Sequence, residues 1–287
     1  MPEGDTIFRA ARTLHRALAG KTVTRFETGY AQLARVDDDA PIAGRRIEEV
    51  SAAGKHLLMR FSGDLVLRTH MRMNGSWHIY RPGEAWRLPK RAARVVVETE
   101  DFVAVAFDVP VAEFHTEHAL RRQEDMRKMG PDLLSGEFDA AEAFRRVRER
   151  ADAEIGVVLL NQRVMAGVGN AFKSEILFAC RVNPFTPVRD LDDATVNGLV
   201  ETSLKYLKVN VIEGASDKPV TYTGFRRTTG RADPAARLWV YGRFGQPCRR
   251  CGTTLSYAKQ GVDARSTYWC PQCQPPVQTR AETSLLR

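Results

Sequence analysis

Apolar residues recur at helical spacing through the first twenty positions, where Ile7, Ala10, Ala11, Leu14, Ala17 and Leu18 trace one face and Gly20 supplies a stop. An amphipathic helix is predicted there. The period then falls to two: alternating or β-branched runs at 23–28, 45–50, 56–61, 65–70, 77–80, 94–99 and 102–108 are separated by Gly44, Gly54, Gly63, Gly75 and Pro82-Gly83. Strands this short with turns this frequent predict a two-layer β-sandwich. From about residue 116 the pattern turns helical again, over 116–128, 139–150, 153–163, 170–180 and 190–212, with a linker near Gly130-Pro131. The expected architecture is α+β and multidomain: a helix plus β-sandwich over 1–128, a helical domain over 129–225, a cysteine-bearing module over 226–275 and a tail over 276–287. An Arg- and Gly-rich stretch at about 214–237 reads as a mobile loop.

Cys248-x2-Cys251 and Cys270-x2-Cys273, with 18 residues between the pairs, have the spacing of a tetrahedral thiolate site for one structural zinc ion, Zn2+. Gly252 and Pro271 supply turn chemistry beside the ligands. Two disulfides or four reduced thiols are the competing readings. With every position filled by sulfur, such an ion has no room for substrate, so catalysis must come from elsewhere. Cys180, inside the apolar run 176–180, reads as a small buried hydrophobe. No apolar run reaches the roughly 18 residues of a membrane span, and Glu3 and Asp5 stand where a secretory signal carries positive charge, so a cytoplasmic, membrane-free protein is expected.

The formal charge of +8 favours an anionic partner, and its distribution sharpens this. Between Arg226 and Arg250 seven arginines face one acid, Asp233, just before the second pair of motifs closes. A zinc module fed by arginines reads as a nucleic-acid-binding element, the alternative being a solvated basic face. Two glycines in the turn Ala166-Gly167-Val168-Gly169-Asn170, with Asn170 as an N-cap, would let a phosphate approach the start of the following helix; a plain helix-joining turn is the other reading. Aromatic residues make up only 8% of the chain and form no obvious cluster, which argues against a stacking surface for RNA.

Three separated segments, 1–6 (Met-Pro-Glu-Gly-Asp-Thr), 166–170 and 265–274 (Arg-Ser-Thr-Tyr-Trp-Cys-Pro-Gln-Cys-Gln), together resemble the formamidopyrimidine-DNA glycosylase and endonuclease VIII family of base-excision repair enzymes. The match runs from Pro2 to Gln274 and includes Gly54-Lys55-His56-Leu57, His70, residues 130–134 and Val240-Tyr241-Gly242-Arg243. The resemblance implies a β-sandwich, a helix-two-turn-helix domain and a C-terminal zinc finger, acting on damaged duplex DNA as a monomer. It implies that Pro2, freed of Met1, is the nucleophile and Glu3 the catalytic acid. It also implies that Lys55 and Arg265 grip phosphates and assist β- and δ-elimination, and that His70, Gly167, Gly169 and Asn170 contact DNA.

In the loop 70–75, Met73 is expected to plug the gap left by the extruded nucleotide and Arg72 to meet the widowed base. His56 is expected to be structural. Thr6 stands where the family often has a glutamate, whose task is then absent or falls to a neighbour such as Asp5. Phe114 lacks the arginine that precedes it in the 8-oxoguanine branch, so the chain looks more like endonuclease VIII, with oxidised pyrimidines as substrates. An 8-oxoguanine-preferring relative and a catalytically silent zinc-ribbon DNA binder are the alternatives.

Overall fold

A computed structural model describes residues 2–212, 228 and 237–276. The loop expected at 214–237 lies almost wholly outside the described residues, as do Arg226, Arg227 and Arg231. The chain divides into two compact units, Met1–Lys128 with Val211–Gly224, and Met129–Asn210 with Phe225–Arg287.

The first unit opens with α1 (Gly4–Leu18), whose apolar face is buried from Ile7 to Leu18. Strands β1 (Val23–Thr28), β2 (Ile47–Ala53), β3 (His56–Phe61), β4 (Leu65–His70), β5 (Ser76–Tyr80), β6 (Ala93–Thr99), β7 (Val103–Phe107) and β8 (Val111–His115) follow. They form two antiparallel four-stranded sheets, ordered β1-β6-β7-β5 and β2-β3-β4-β8. The core between them joins Leu14 and Leu18 of the helix to Leu57, Met59, Phe61, Leu67, Trp77, Val95 and Val97. Burying such side chains contributes roughly 1.5–3 kcal/mol each, which is what fixes strand register.

Sequence periodicity misses two elements here. Helix α2 (Ala31–Asp39) buries only Leu33, so it leaves little apolar rhythm to read. Strand β8 follows β7 after a short turn, and its Phe114 packs its ring 5.6 Å from Phe26 and 6.3 Å from Phe61. Phe114 is therefore partly buried against the core. The single helix expected over 116–128 is two, α3 (Glu117–Arg122) and α4 (Glu124–Arg127), broken at Gln123.

The second unit contains α5 (Ala140–Arg148), α6 (Ile155–Leu160), α7 (Asn170–Ala179) and all but the last two residues of α8 (Asp193–Ile212), then the hairpin β9 (Ser256–Gln260) and β10 (Arg265–Trp269). Helix α7 is buried from Asn170 through Phe178, polar residues included. Phe172, Ile176 and Leu177 pack with Leu159, Val196, Leu199 and Leu207. The N-cap is Gly169, with extended backbone, and Asn170 is the first helical residue; the cap assignment made from sequence is off by one.

Candidate active site and zinc ribbon

Glu3 caps α1 through its carbonyl, which accepts the amides of Thr6 at 3.0 Å and Ile7 at 3.1 Å, so the chain before the helix is held in place. Glu3 itself is fully buried. Pro2 lies on the wall of a cavity of about 260 Å³ together with Thr6, Met71, Met73, Asn74, Ser76, His78 and Arg87. No acid is among its lining residues. Asp5, the neighbour named for the missing glutamate's task, is buried, 3.2 Å from Arg9, and accepts the Thr6 hydroxyl at 3.3 Å.

The loop after β4 separates its two methionines. Met71 is core, whereas Met73 is 59% exposed at the cavity. Between them Arg72 sits at φ 47°, a left-handed conformation unusual for a long side chain, and a Cβ on Gly75 would lie 2.6 Å from the Met71 carbonyl. The backbone is thus bent sharply enough to push Met73 outward.

Lys55 stands in the β2–β3 turn beside Gly54, and His56 pairs across the sheet with His70, their rings 4.9 Å apart edge to face. Burial pushes His56 down to about 4, helped by His70 and Arg68. Burial also pushes His70 down to about 4, helped by Lys55, Arg72 and Arg68. Both rings are neutral at pH 7. His70 Nδ1 accepts the Arg72 amide at 3.1 Å, which leaves the proton on Nε2, the tautomer that can donate to a phosphate. Behind them Arg68, 6% exposed, bonds Asp125 at 2.5 Å and Glu113 at 2.8 Å, and His56 Nε2 is 3.6 Å from Asp125. That network fits the structural role expected of His56.

This pair sets a pH dependence. An unfolded histidine takes up a proton near pH 6.5, which the folded rings refuse until about pH 4, so stability falls as pH drops through that window and is insensitive to the pair above pH 7. The cost by pH 4.5 is about 2–4 kcal/mol for both rings, allowing for solvent screening of the partly exposed His70. Urea midpoints at pH 7, 6 and 5 check this. His56→Asn should flatten the fall, and equal slopes in both proteins would contradict it.

In the second unit Gly167 adopts φ +110°, and a Cβ there would meet Leu207 Cδ2 at 2.9 Å. Its amide donates to Gln162 Oε1 at 3.0 Å, while Gln162 Nε2 bonds the carbonyls of Leu160 and Val168. The Gly167 amide is therefore occupied within the turn; Gly167 shapes the loop. Gly169 has extended backbone that any residue adopts. Asn170 is 8% exposed, and its Oδ1 has no hydrogen-bond partner among the described residues.

The sequence reading overlooked two buried charges on α7. Lys173, 0% exposed, donates to the Ser266 carbonyl at 3.2 Å and to Thr267 Oγ1 at 2.6 Å, both on β10. Glu175, also 0% exposed, accepts the amides of Trp239, Val240 and Tyr241 at 2.8–2.9 Å and the hydroxyl of Thr228. Burial pushes its carboxyl up against the pull of those donors. Arg265, at the start of β10, is thereby mounted on α7; its own side chain is 54% exposed, 3.7 Å from Asp263. Nearby arginines do internal work: Arg243 bonds the carbonyls of Trp239 and Pro247, Arg249 that of Leu238, and Arg250 lies 4.3 Å from the Phe178 ring. The basic stretch is in part a scaffold.

The four cysteines converge. Their Sγ atoms lie within 4.8 Å of one another, with separations of 4.0 Å for Cys248–Cys273 and 3.5 Å for Cys251–Cys270 and Cys251–Cys273. A tetrahedron with 2.3 Å zinc–sulfur bonds has edges of about 3.8 Å, so the donor set fits one zinc ion and no disulfide pattern is favoured. Without a cation the thiols divide: burial and the neighbouring thiols push Cys273 up to about 12 and raise Cys270, whereas hydrogen bonds from Thr253 bring Cys251 down to about 6. A divalent ion supplies the charge that four thiolates need. Its role is structural.

The comparisons agree with this anatomy. Residues 1–130 match the formamidopyrimidine-DNA glycosylase N-terminal domain, 129–219 its H2TH domain and 245–276 the zinc finger found in FPG and IleRS. A probable endonuclease 8 2 of Streptomyces coelicolor is 40% identical over 96% of this chain and 94% of its own length. A DNA-(apurinic or apyrimidinic site) lyase of Mycolicibacterium smegmatis is 37% identical over 96% and 99%. The fold is shared with the Lactococcus lactis Fpg in a complex with abasic-site DNA, at a TM-score of 0.79 and 22% identity, covering 95% of this chain and 99% of that one. The chain belongs to the formamidopyrimidine-DNA glycosylase and endonuclease 8 family of DNA glycosylase/AP lyases.

Proposed function

We propose that the protein excises oxidised pyrimidines from duplex DNA through an iminium (Schiff-base) adduct formed by Pro2 and then cleaves the strand by β,δ-elimination. One observation carries this reading: Pro2 stands on the wall of a cavity immediately before a helix that holds it in position. Once Met1 is removed, its secondary amine titrates near 8 and is partly free at neutral pH, unlike an ordinary lysine. Attack on C1′ of the deoxyribose forms the N–C bond and expels the base with the glycosidic electron pair, the base taking up a proton. The ring-opened adduct is an iminium, cationic without further protonation, and it acidifies the C2′ proton whose loss starts the elimination. Glu3, adjacent in the chain, is assigned the proton transfers.

Lys55, His70, Asn170 and Arg265 are assigned to phosphates: His70 as a neutral Nε2–H donor, Lys55 and Arg265 as cations. Met73, exposed on a rigidly bent loop, is assigned to the void left by the extruded nucleotide, with Arg72 beside it facing the orphaned base. Family relatives named endonuclease 8 favour the pyrimidine reading over 8-oxoguanine, and Thr6 gives the cavity a neutral wall where an acid is common. The same enzyme on an 8-oxoguanine substrate is the second reading.

Borohydride added to protein and an abasic-site duplex tests the chemistry. A covalent adduct is expected, and its absence would leave only a DNA-binding role. Thymine glycol should be incised faster than 8-oxoguanine in matched duplexes; the reverse order would reassign the substrate. Duplex affinity should also fall with a log–log salt slope of about 0.9 per phosphate neutralised, and Lys55→Gln should lower that slope by about one unit. An unchanged slope would remove Lys55 from the phosphate contacts.

A further inference from the structure

The ribbon's aromatic residues, scattered in sequence, form a row in the fold, contrary to the expectation of no cluster. Ring centroids are 5.1 Å apart for Tyr241–Tyr268, 5.0 Å for Tyr257–Tyr268 and 5.8 Å for Phe244–Tyr257. The row ends at Phe244, which is 64% exposed. Cross-strand register sets Tyr268 opposite Tyr257 and Ser266 opposite Lys259, so these four share one face of the hairpin. The opposite face carries Thr267 and Gln260, both buried, which bond Lys173, Glu154 and the Pro184 carbonyl.

One face of the hairpin is thus anchored to the helices, and the other is aromatic and cationic. Lys259 Nζ donates to Ser266 Oγ at 3.2 Å and lies 5.9 Å from the Tyr257 ring, with no carboxylate partner among the described residues. Across 241–276 five cations stand against one acid, +4, which a zinc tetrathiolate of charge −2 reduces to +2. An apolar ring left in water on the face that carries Lys259 matches a ligand that is flat, apolar on its faces and anionic along its backbone.

We propose that this row is a stacking site for the unpaired bases of single-stranded DNA. Bases inside a duplex have both faces covered by neighbours, so only an unstacked base can cover Phe244, while Lys259 neutralises the phosphate that follows it. An acidic protein segment would satisfy the charge and leave the ring geometry without a use. The site lies outside the excision chemistry assigned to Pro2 and does not depend on it.

The test is fluorescence anisotropy with a labelled 20-nucleotide oligo(dT) and a 20-base-pair duplex, using the full chain with zinc bound. Wild type should bind the single strand. Phe244→Ala should weaken that binding by at least about fivefold, the low end for a lost base–aromatic stack, and Phe244→Trp should restore it. Lys259→Gln should reduce the single-strand salt slope by about 0.7. Zinc content and incision of a lesion-bearing duplex should stay at wild-type levels in Phe244→Ala, because the ring is exposed and outside the cavity beside Pro2. The proposal is overturned if wild type fails to bind the single strand, if Phe244→Ala binds it as wild type does, or if duplex incision falls in step with single-strand affinity, which would assign the ring to the duplex interface.

Discussion

Pro2→Leu should lower base release and strand cleavage by at least about ten-thousandfold, the scale of losing a nucleophile, and eliminate the borohydride-trapped adduct. A bulky second residue retains the initiator methionine, so the variant loses the secondary amine and moves the terminal amino group by one residue, about 3.8 Å along the chain. Nothing else need change, because α1 begins at Gly4 and its first amides are held by the Glu3 carbonyl. Affinity for an abasic-site duplex should therefore stay within a few-fold of wild type, and the melting temperature should be unaltered. Mass spectrometry of the digested wild-type adduct should place the crosslink on Pro2. A crosslink on a lysine, or a Pro2→Leu protein that still traps DNA, would end the iminium mechanism proposed above.

Cys270→Ser should have the second-largest effect, and in a different place. Cys270 is fully buried, and structural zinc contributes roughly 10–16 kcal/mol of binding free energy in small fingers at neutral pH. Loss of one thiolate should release the ion and loosen β9–β10. Duplex affinity should then collapse together with incision, while the histidine-dependent stability of the first unit persists. Zinc content by atomic absorption, duplex affinity by anisotropy and single-turnover incision at saturating DNA separate the steps. A Cys270→Ser protein holding one zinc per chain with full incision would refute the structural role of the ribbon.

The parts of the molecule legible from sequence are those where one local signal dominates. β1, β3 and β4 follow from short β-rich runs between glycine turns, and the cysteine tetrad from spacing alone. Helix α2 and strand β8 were not legible because each buries a single side chain, Leu33 and Ala112. The candidate site was legible through motif resemblance, and less so in its physics. Lys173 and Glu175 look like ordinary surface charges until the ribbon folds against α7 and supplies their partners, 64 to 94 residues away. The aromatic row escaped for the same reason, since Tyr241, Phe244, Tyr257 and Tyr268 meet only through hairpin register.

The bonds from Lys173 to β10 have a consequence for biogenesis. Translation delivers α7 about ninety residues before the strand that satisfies its lysine, and that strand is secured by an ion the cell must supply. Until the metal arrives, β10 does not hold the Ser266 carbonyl and Thr267 Oγ1 against Lys173, so docking of α7 is not completed. Metal starvation should then yield chains with a mature sandwich and an unfinished partner half, prone to proteolysis between the two.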